Sequence, residues 1–201
     1  MDIKEYLDKK KEYEFYILNI NKKTPNYNDI IELFCDSLVN PFFYEENDYT
    51  IVLSSVTSND IVQLTNAIIE DFGVNLKVFK SNKLNSNNLE NEKILMSLYF
   101  KYNNSINDSY ISIRNLVQAI NNNDDMNLIK PVVTERIIND NKLYEIVKGM
   151  FINNLNVCKT ASYVYMHRNT INNKLIVIKE VTGLDIQNFQ DAVILYALLN
   201  K

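Results

Sequence analysis

The chain has 201 residues, 46% hydrophobic and 23% charged, enough to bury a core in one large or two small domains, and its formal net charge is −4. Apolar runs such as Ile51–Leu53 and Leu175–Ile178 fall far short of the roughly 20 residues of a membrane helix. The charged start MDIKEYLDKKKEYEF lacks a signal-peptide core, so a cytoplasmic protein with no membrane partner is expected.

Cys35 and Cys158 have no CxxC partner, which leaves no signal for a zinc knuckle or disulfide framework; both are expected to be buried thiols. Charge is unevenly spread. From Lys142 onward seven basic residues face four acidic ones, a net of +3, so the remainder carries −7. An acidic body with a basic tip keeps nonspecific nucleic-acid affinity modest while one face can still approach phosphates.

In chain order, the aromatic and β-branched run Tyr13–Ile20 predicts a buried strand ended by the loop at Pro25. Asn28 or Asp29 is the expected cap of a helix with Ile30, Ile31, Phe34 and Leu38 on one face. Pro41–Glu45 and Asp48–Ser54 read as a hairpin turning at Glu46-Asn47. Ser58 or Asn59 should cap a second helix, with Ile61, Leu64, Ile68, Ile69 and Phe72 as its stripe and Gly73 as its end. Leu76–Phe79 is the next strand.

The order β, α, β, β, α, β is that of a ferredoxin-like sandwich, an α+β fold with two helices on one face of an antiparallel sheet. Ser81–Asn88 is polar and reads as an exposed loop; Leu89–Tyr102 predicts an amphipathic helix burying Leu95, Leu98, Tyr99 and Tyr102. Tyr110–Ile120 should begin extended and finish helical. The polar break Asn121–Asp125 marks the expected boundary between a domain at 1–122 and a helical domain at 123–201.

In that second part Pro131 stands early in a helix expected over Leu128–Ile138. Asp140 or Asn141 caps the next one, whose Leu143, Ile146, Val147, Met150 and Phe151 recur at i, i+3, i+4, i+7 and i+8. The stretch Val157–Lys179 carries four basic residues and no acidic one. A helix over Lys159–Tyr165, with Ala161 small enough for a close crossing, precedes a turn; His167 or Arg168 opens a helix burying Ile171, Leu175 and Ile178. This is a helix-turn-helix pattern, with Arg suited to guanine, Asn to adenine, and Thr170 or Lys174 to phosphate. The expected double-stranded DNA interface comprises Lys159, Thr160, His167, Arg168, Asn169, Thr170, Asn172, Asn173 and Lys174. Gly183 should end the recognition helix in a left-handed cap. Phe189–Leu199 is too apolar for one buried face, so it is either sandwiched between domains or part of a homodimer interface.

The stretch TASYVYMHRNTINNKL followed by TGLDI resembles the C-terminal domain of the PucR family of bacterial transcription regulators. The matching residues are Ala161, Val164, Tyr165, Met166, His167, Arg168, Asn169, Thr170, Ile171, Leu175 and Gly183; Asn173 and Lys174 depart from the family's Tyr-Arg. Lysine lacks the planar fork of arginine, so the operator preference need not follow the family's. The resemblance implies a DNA-binding regulator acting as a dimer, not an enzyme, and a degenerate cyclase-like (GGDEF-related) domain ahead of the helices. At the hairpin, where that signature would stand, Glu45, Glu46, Asn47 and Asp48 offer no glycine pair and read as a solvated turn rather than a metal site. No phosphate-binding, hydrolase or metalloprotease motif occurs, and no cofactor is expected. Two other functions fit the residues: an interaction module that has lost specific DNA binding, and sensing of a small-molecule effector by the first domain.

Overall fold

The computed structural model describes residues 3–55, 60–86 and 89–200, a mixed α/β chain with a helical C-terminal region. It divides into two compact units, Met1–Leu116 and Val117–Lys201.

After helix α1 (Ile3–Asp8), strand β1 (Glu12–Asn19) is buried on both faces, as its nearly unbroken run of aromatic and branched residues requires. Helix α2 (Tyr27–Asp36) starts earlier than expected: neither Asn28 nor Asp29 caps it, and the chain enters through Asn26 in a left-handed conformation. β2 (Phe42–Glu46) and β3 (Tyr49–Ser54) form the hairpin, with Glu46 opposite Tyr49 and Asn47 at φ 55°; the turn is Asn47-Asp48, one residue later than the sequence pattern places it. Helix α3 (Ile61–Phe72) is capped by Asp60, whose carboxylate accepts from the amides of Val62 and Gln63; Ser58 and Asn59 lie outside the described residues. Gly73 closes α3 at φ 60°.

β4 (Lys77–Lys80) follows, and the sheet runs β2-β3-β1-β4, each pair antiparallel. A short β6 (Tyr110–Ile111) adds parallel to β4. The described part of the predicted loop, residues 81–86, is not an exposed loop: Leu84–Asn85 forms β5 on β1, and Ser81 and Asn82 are buried; Asn87 and Asn88 lie outside the described residues. The reason is in the hydrogen bonds: Ser81 Oγ accepts from the amide of Phe15, and the Ser81 amide donates to the Phe15 carbonyl, extending the sheet where the local composition suggests solvent.

One face of the sheet buries Tyr16, Leu18, Val52 and Val78 against Ile30, Phe34, Ile61 and Ile68 of α2 and α3. Helix α4 (Glu90–Tyr102) covers the other, where Tyr99 packs on Phe79 with ring centroids 5.2 Å apart. Cys35 is buried as expected, but Cys158 is exposed. Helix α5 (Ile113–Ala119) spans the division between the units.

The second unit consists of α6 (Asn123–Ile138), α7 (Asn141–Ile152), α8 (Val157–Tyr163), α9 (Arg168–Thr182) and α10 (Phe189–Asn200). α6 begins five residues before Leu128, because Asn122 caps it by accepting from the Asp125 amide at 2.9 Å. Pro131 therefore lies well inside the helix, where it removes one backbone hydrogen bond. Asp140 caps α7 as expected, accepting from Lys142 and Leu143. α9 packs on α6, α7 and α8, and α10 on α6. Among the described residues no helix is long and apolar enough to cross a membrane.

Candidate nucleic-acid interface

The interface is built from a short link, a short helix, a tight turn and a longer helix. The link after α7 passes through Asn154 (φ 53°) and Leu155 (φ 61°), and the Leu155 amide donates back to the Met150 carbonyl at 2.7 Å. Asn156 then caps α8 by accepting from Lys159, so this helix starts two residues before the predicted Lys159 and ends at Tyr163 rather than Tyr165.

The turn is closed by Met166 donating to the Ala161 carbonyl at 2.9 Å and by Val164 donating to Thr160. That pattern places Tyr165 at φ 55° with its ring 96% exposed. A left-handed residue there is usually glycine, so tyrosine occupies it at a conformational cost. His167 caps α9: Nδ1 accepts from the Asn169 amide at 3.2 Å, leaving Nε2 to the outside. The inner face of α9 buries Ile171, Leu175, Ile178, Val181 and Thr182. At its far end Gly183 adopts φ 71°, and Thr182 Oγ1 accepts from Leu184, which folds back fully buried.

Of the nine expected interface residues, Lys159, His167, Arg168, Asn169, Thr170, Asn172 and Asn173 are exposed, and Lys174 is half-buried. Thr160 is the exception. It is fully buried, its methyl group 3.1 Å from where a Cβ on Gly149 would stand, and so it is unavailable to a phosphate. The close approach that the sequence suggested for Ala161 is therefore also a property of Gly149 on α7, which lets α8 sit down on it.

One residue on this face was not anticipated. Ile176 is 60% exposed, one turn beyond Asn172 and two beyond Arg168, on the side of α9 opposite its core. It lies in the apolar run Leu175–Ile178, which reads as core; only the phase set by Ile171, Leu175 and Ile178 separates it. Lys179 is engaged by Asp185 at 3.0 Å, which ties the end of α9 to the following loop. No carboxylate occurs in the sequence between Lys159 and Lys179, so the side chains that α8, the turn and α9 contribute up to that point carry only basic charge. A rigid helix with a positive N-terminus, an arginine, amides and an apolar side chain on one face has the groups that read base edges in a major groove.

Residues 143–200 match the model of the PucR C-terminal helix-turn-helix domain. The chain is similar to the carbohydrate diacid regulator of Escherichia coli (strain K12), with 33% identity over 73 residues, 36% of this chain; the match covers 19% of that relative's length. Among solved structures, the crystal structure of the regulator of polyketide synthase expression from Bifidobacterium adolescentis is similar at 13% identity and a TM-score of 0.39, covering 94% of this chain and 79% of that chain. Residues 143–200 are thus a PucR-type helix-turn-helix domain.

Proposed function

We propose that the protein is a sequence-specific, DNA-binding transcription regulator of the bacterial cytoplasm, not an enzyme, acting as a homodimer through residues 123–201. The helix from Arg168 to Lys179 enters the major groove, where Arg168 and the asparagines meet base edges, while Lys159 at the start of α8 fixes register on the backbone. The observation that carries this reading is an exposed face, with no carboxylate in the sequence from Lys159 to Lys179, on a helix-turn-helix of PucR type. A dimer is supported by the stripe Phe189, Val193 and Tyr196 on α10, exposed by 74%, 50% and 53%.

We read the first domain, 1–122, as a ferredoxin-like, degenerate cyclase-like module. Its strand order β2-β3-β1-β4 supports this, and its hairpin lacks the glycine pair that cyclase catalysis needs.

Fluorescence anisotropy against a selected DNA fragment over a range of salt tests the DNA reading. Arg168→Ala should cost about 1–3 kcal/mol on the preferred site and relax one base preference, whereas Lys159→Ala should weaken every sequence alike and reduce the salt slope by about 1. Uniform losses for both variants would remove Arg168 from base reading.

A second reading, an interaction module that keeps the helix-turn-helix without specific DNA binding, is favoured by Asn173 and Lys174 in place of the family's Tyr-Arg. It predicts recovery of a partner protein and no enriched DNA in a pull-down.

A further inference from the structure

The first unit contains a cavity of about 840 Å³ between α1, the β2–β3 hairpin and α4, within the size range of small-molecule sites. Its walls are apolar and aromatic: Leu7, Met96, Tyr44 and Phe100. Glu92, a residue only 6% exposed, also lines it. Tyr13 donates its hydroxyl to Glu92 Oε2, and Tyr44 donates to Oε1 at 3.3 Å. Those two donors use one lone pair on each oxygen, so each oxygen can still accept a further hydrogen bond.

The charges around the opening are unequal. Asp8, Glu46 and Glu92 line the cavity against Lys93. Burial and, to a lesser extent, the nearby Glu46 push the Glu92 carboxyl above its ordinary range, and a cation in the cavity would favour its charged form. The hydroxyls of Tyr13 and Tyr44 are themselves pushed far up by burial and by Glu92, so they remain donors. Tyr44 and Phe100 supply aromatic rings to the lining, a residue type that attracts an ammonium group through the ring quadrupole. An anionic ligand would meet three carboxylates, and a plain hydrocarbon would leave the acceptor capacity of Glu92 unused.

We propose that this cavity is a binding site for a small organic amine, its ammonium group held by Glu92 and its apolar body by Leu7, Met96 and the aromatic walls. The site is independent of the DNA-binding reading.

The test uses three probes on one skeleton, 2-phenylethylamine, 2-phenylethanol and phenylacetate, titrated calorimetrically into the full chain at pH 7. The amine binds, the alcohol binds at least about tenfold more weakly, and phenylacetate does not bind; a tenfold change corresponds to about 1.4 kcal/mol. Glu92→Gln lowers amine affinity at least about tenfold. Because that change also alters the bonds to Tyr13 and Tyr44, a second variant, Ser97→Trp, fills the cavity from the exposed side of α4 and abolishes amine binding. Binding of phenylacetate as strong as that of the amine, undiminished amine binding in both variants, or no binding of the amine to the wild type would overturn the proposal.

Discussion

Adding one methyl group at Gly149 tests whether the helix-turn-helix is held by a close helix contact. A Cβ there would lie 3.1 Å from Thr160 Cγ2, 3.2 Å from Tyr163 Cδ1 and 3.4 Å from Val164 Cγ1. Tyr163 is 43% exposed and can swing away, but Thr160 is fully buried and cannot. Two effects compete in Gly149→Ala. Helix propensity stabilises the variant by about 1 kcal/mol. Overpacking against a side chain that cannot move costs about 1–3 kcal/mol.

With Thr160 immobile the second effect wins, and a net loss of about 1 kcal/mol follows. Amide hydrogen exchange of the full chain reads this locally. Amides of α9 that exchange through opening of this unit should do so about fivefold faster, while those of β1 in the first unit keep their rates. Slower exchange in α9 would mean that propensity wins, and would refute the close approach of α7 and α8 as a constraint on the reading head.

Three further outcomes are expected. Tyr165→Gly removes a side chain that is 96% exposed and relieves a left-handed conformation worth about 1–2 kcal/mol, partly offset by the freer unfolded chain. Urea unfolding should therefore show a gain of about 0.5–1 kcal/mol, and a loss would mean that the exposed ring contributes to the fold. Glu92, raised from its ordinary value of 4.5 by burial first, is protonated more readily in the folded than in the unfolded chain. Its contribution to stability is therefore most favourable below pH 4.5 and declines as pH rises through the folded-state pKa; Glu92→Gln should flatten that decline in pH-dependent urea unfolding, and an unchanged slope would contradict it. In native protein a disulfide reagent such as DTNB should titrate one thiol promptly, that of exposed Cys158, because burial shields Cys35 and pushes its thiol up to about 11; prompt reaction of both would show that Cys35 is accessible.

Where periodicity and capping act together, the chain was legible in advance. Leu143, Ile146, Val147 and Met150 set the phase of α7 and Asp140 caps it; Ile171, Leu175 and Ile178 do the same for α9, with Gly183 closing it. The misses come from interactions that are distant in sequence. Ser81 and Asn82 look like solvent-exposed loop residues, but the backbone of β1 gives Ser81 partners 66 residues away. Asn26 enters α2 in a left-handed conformation without a side-chain cap bond, so no cap signal marked that start. Thr160 reads as a phosphate ligand from its neighbour Lys159, yet one step around a helix separates an exposed residue from a buried one. Ile176 was hidden by its apolar neighbours, and the cavity around Glu92 by the 79 residues separating that side chain from Tyr13.

The most direct measurement of the central claim is selection of genomic fragments by the purified full chain at moderate salt, with Arg168→Ala run in parallel. Recovery by the wild type alone of a shared, roughly palindromic motif is the predicted result, since Arg168 reads a base and two recognition helices span two half-sites. Weak recovery without a motif, equal for both proteins and abolished by modest salt, would leave only electrostatic contact and contradict a sequence-specific regulator.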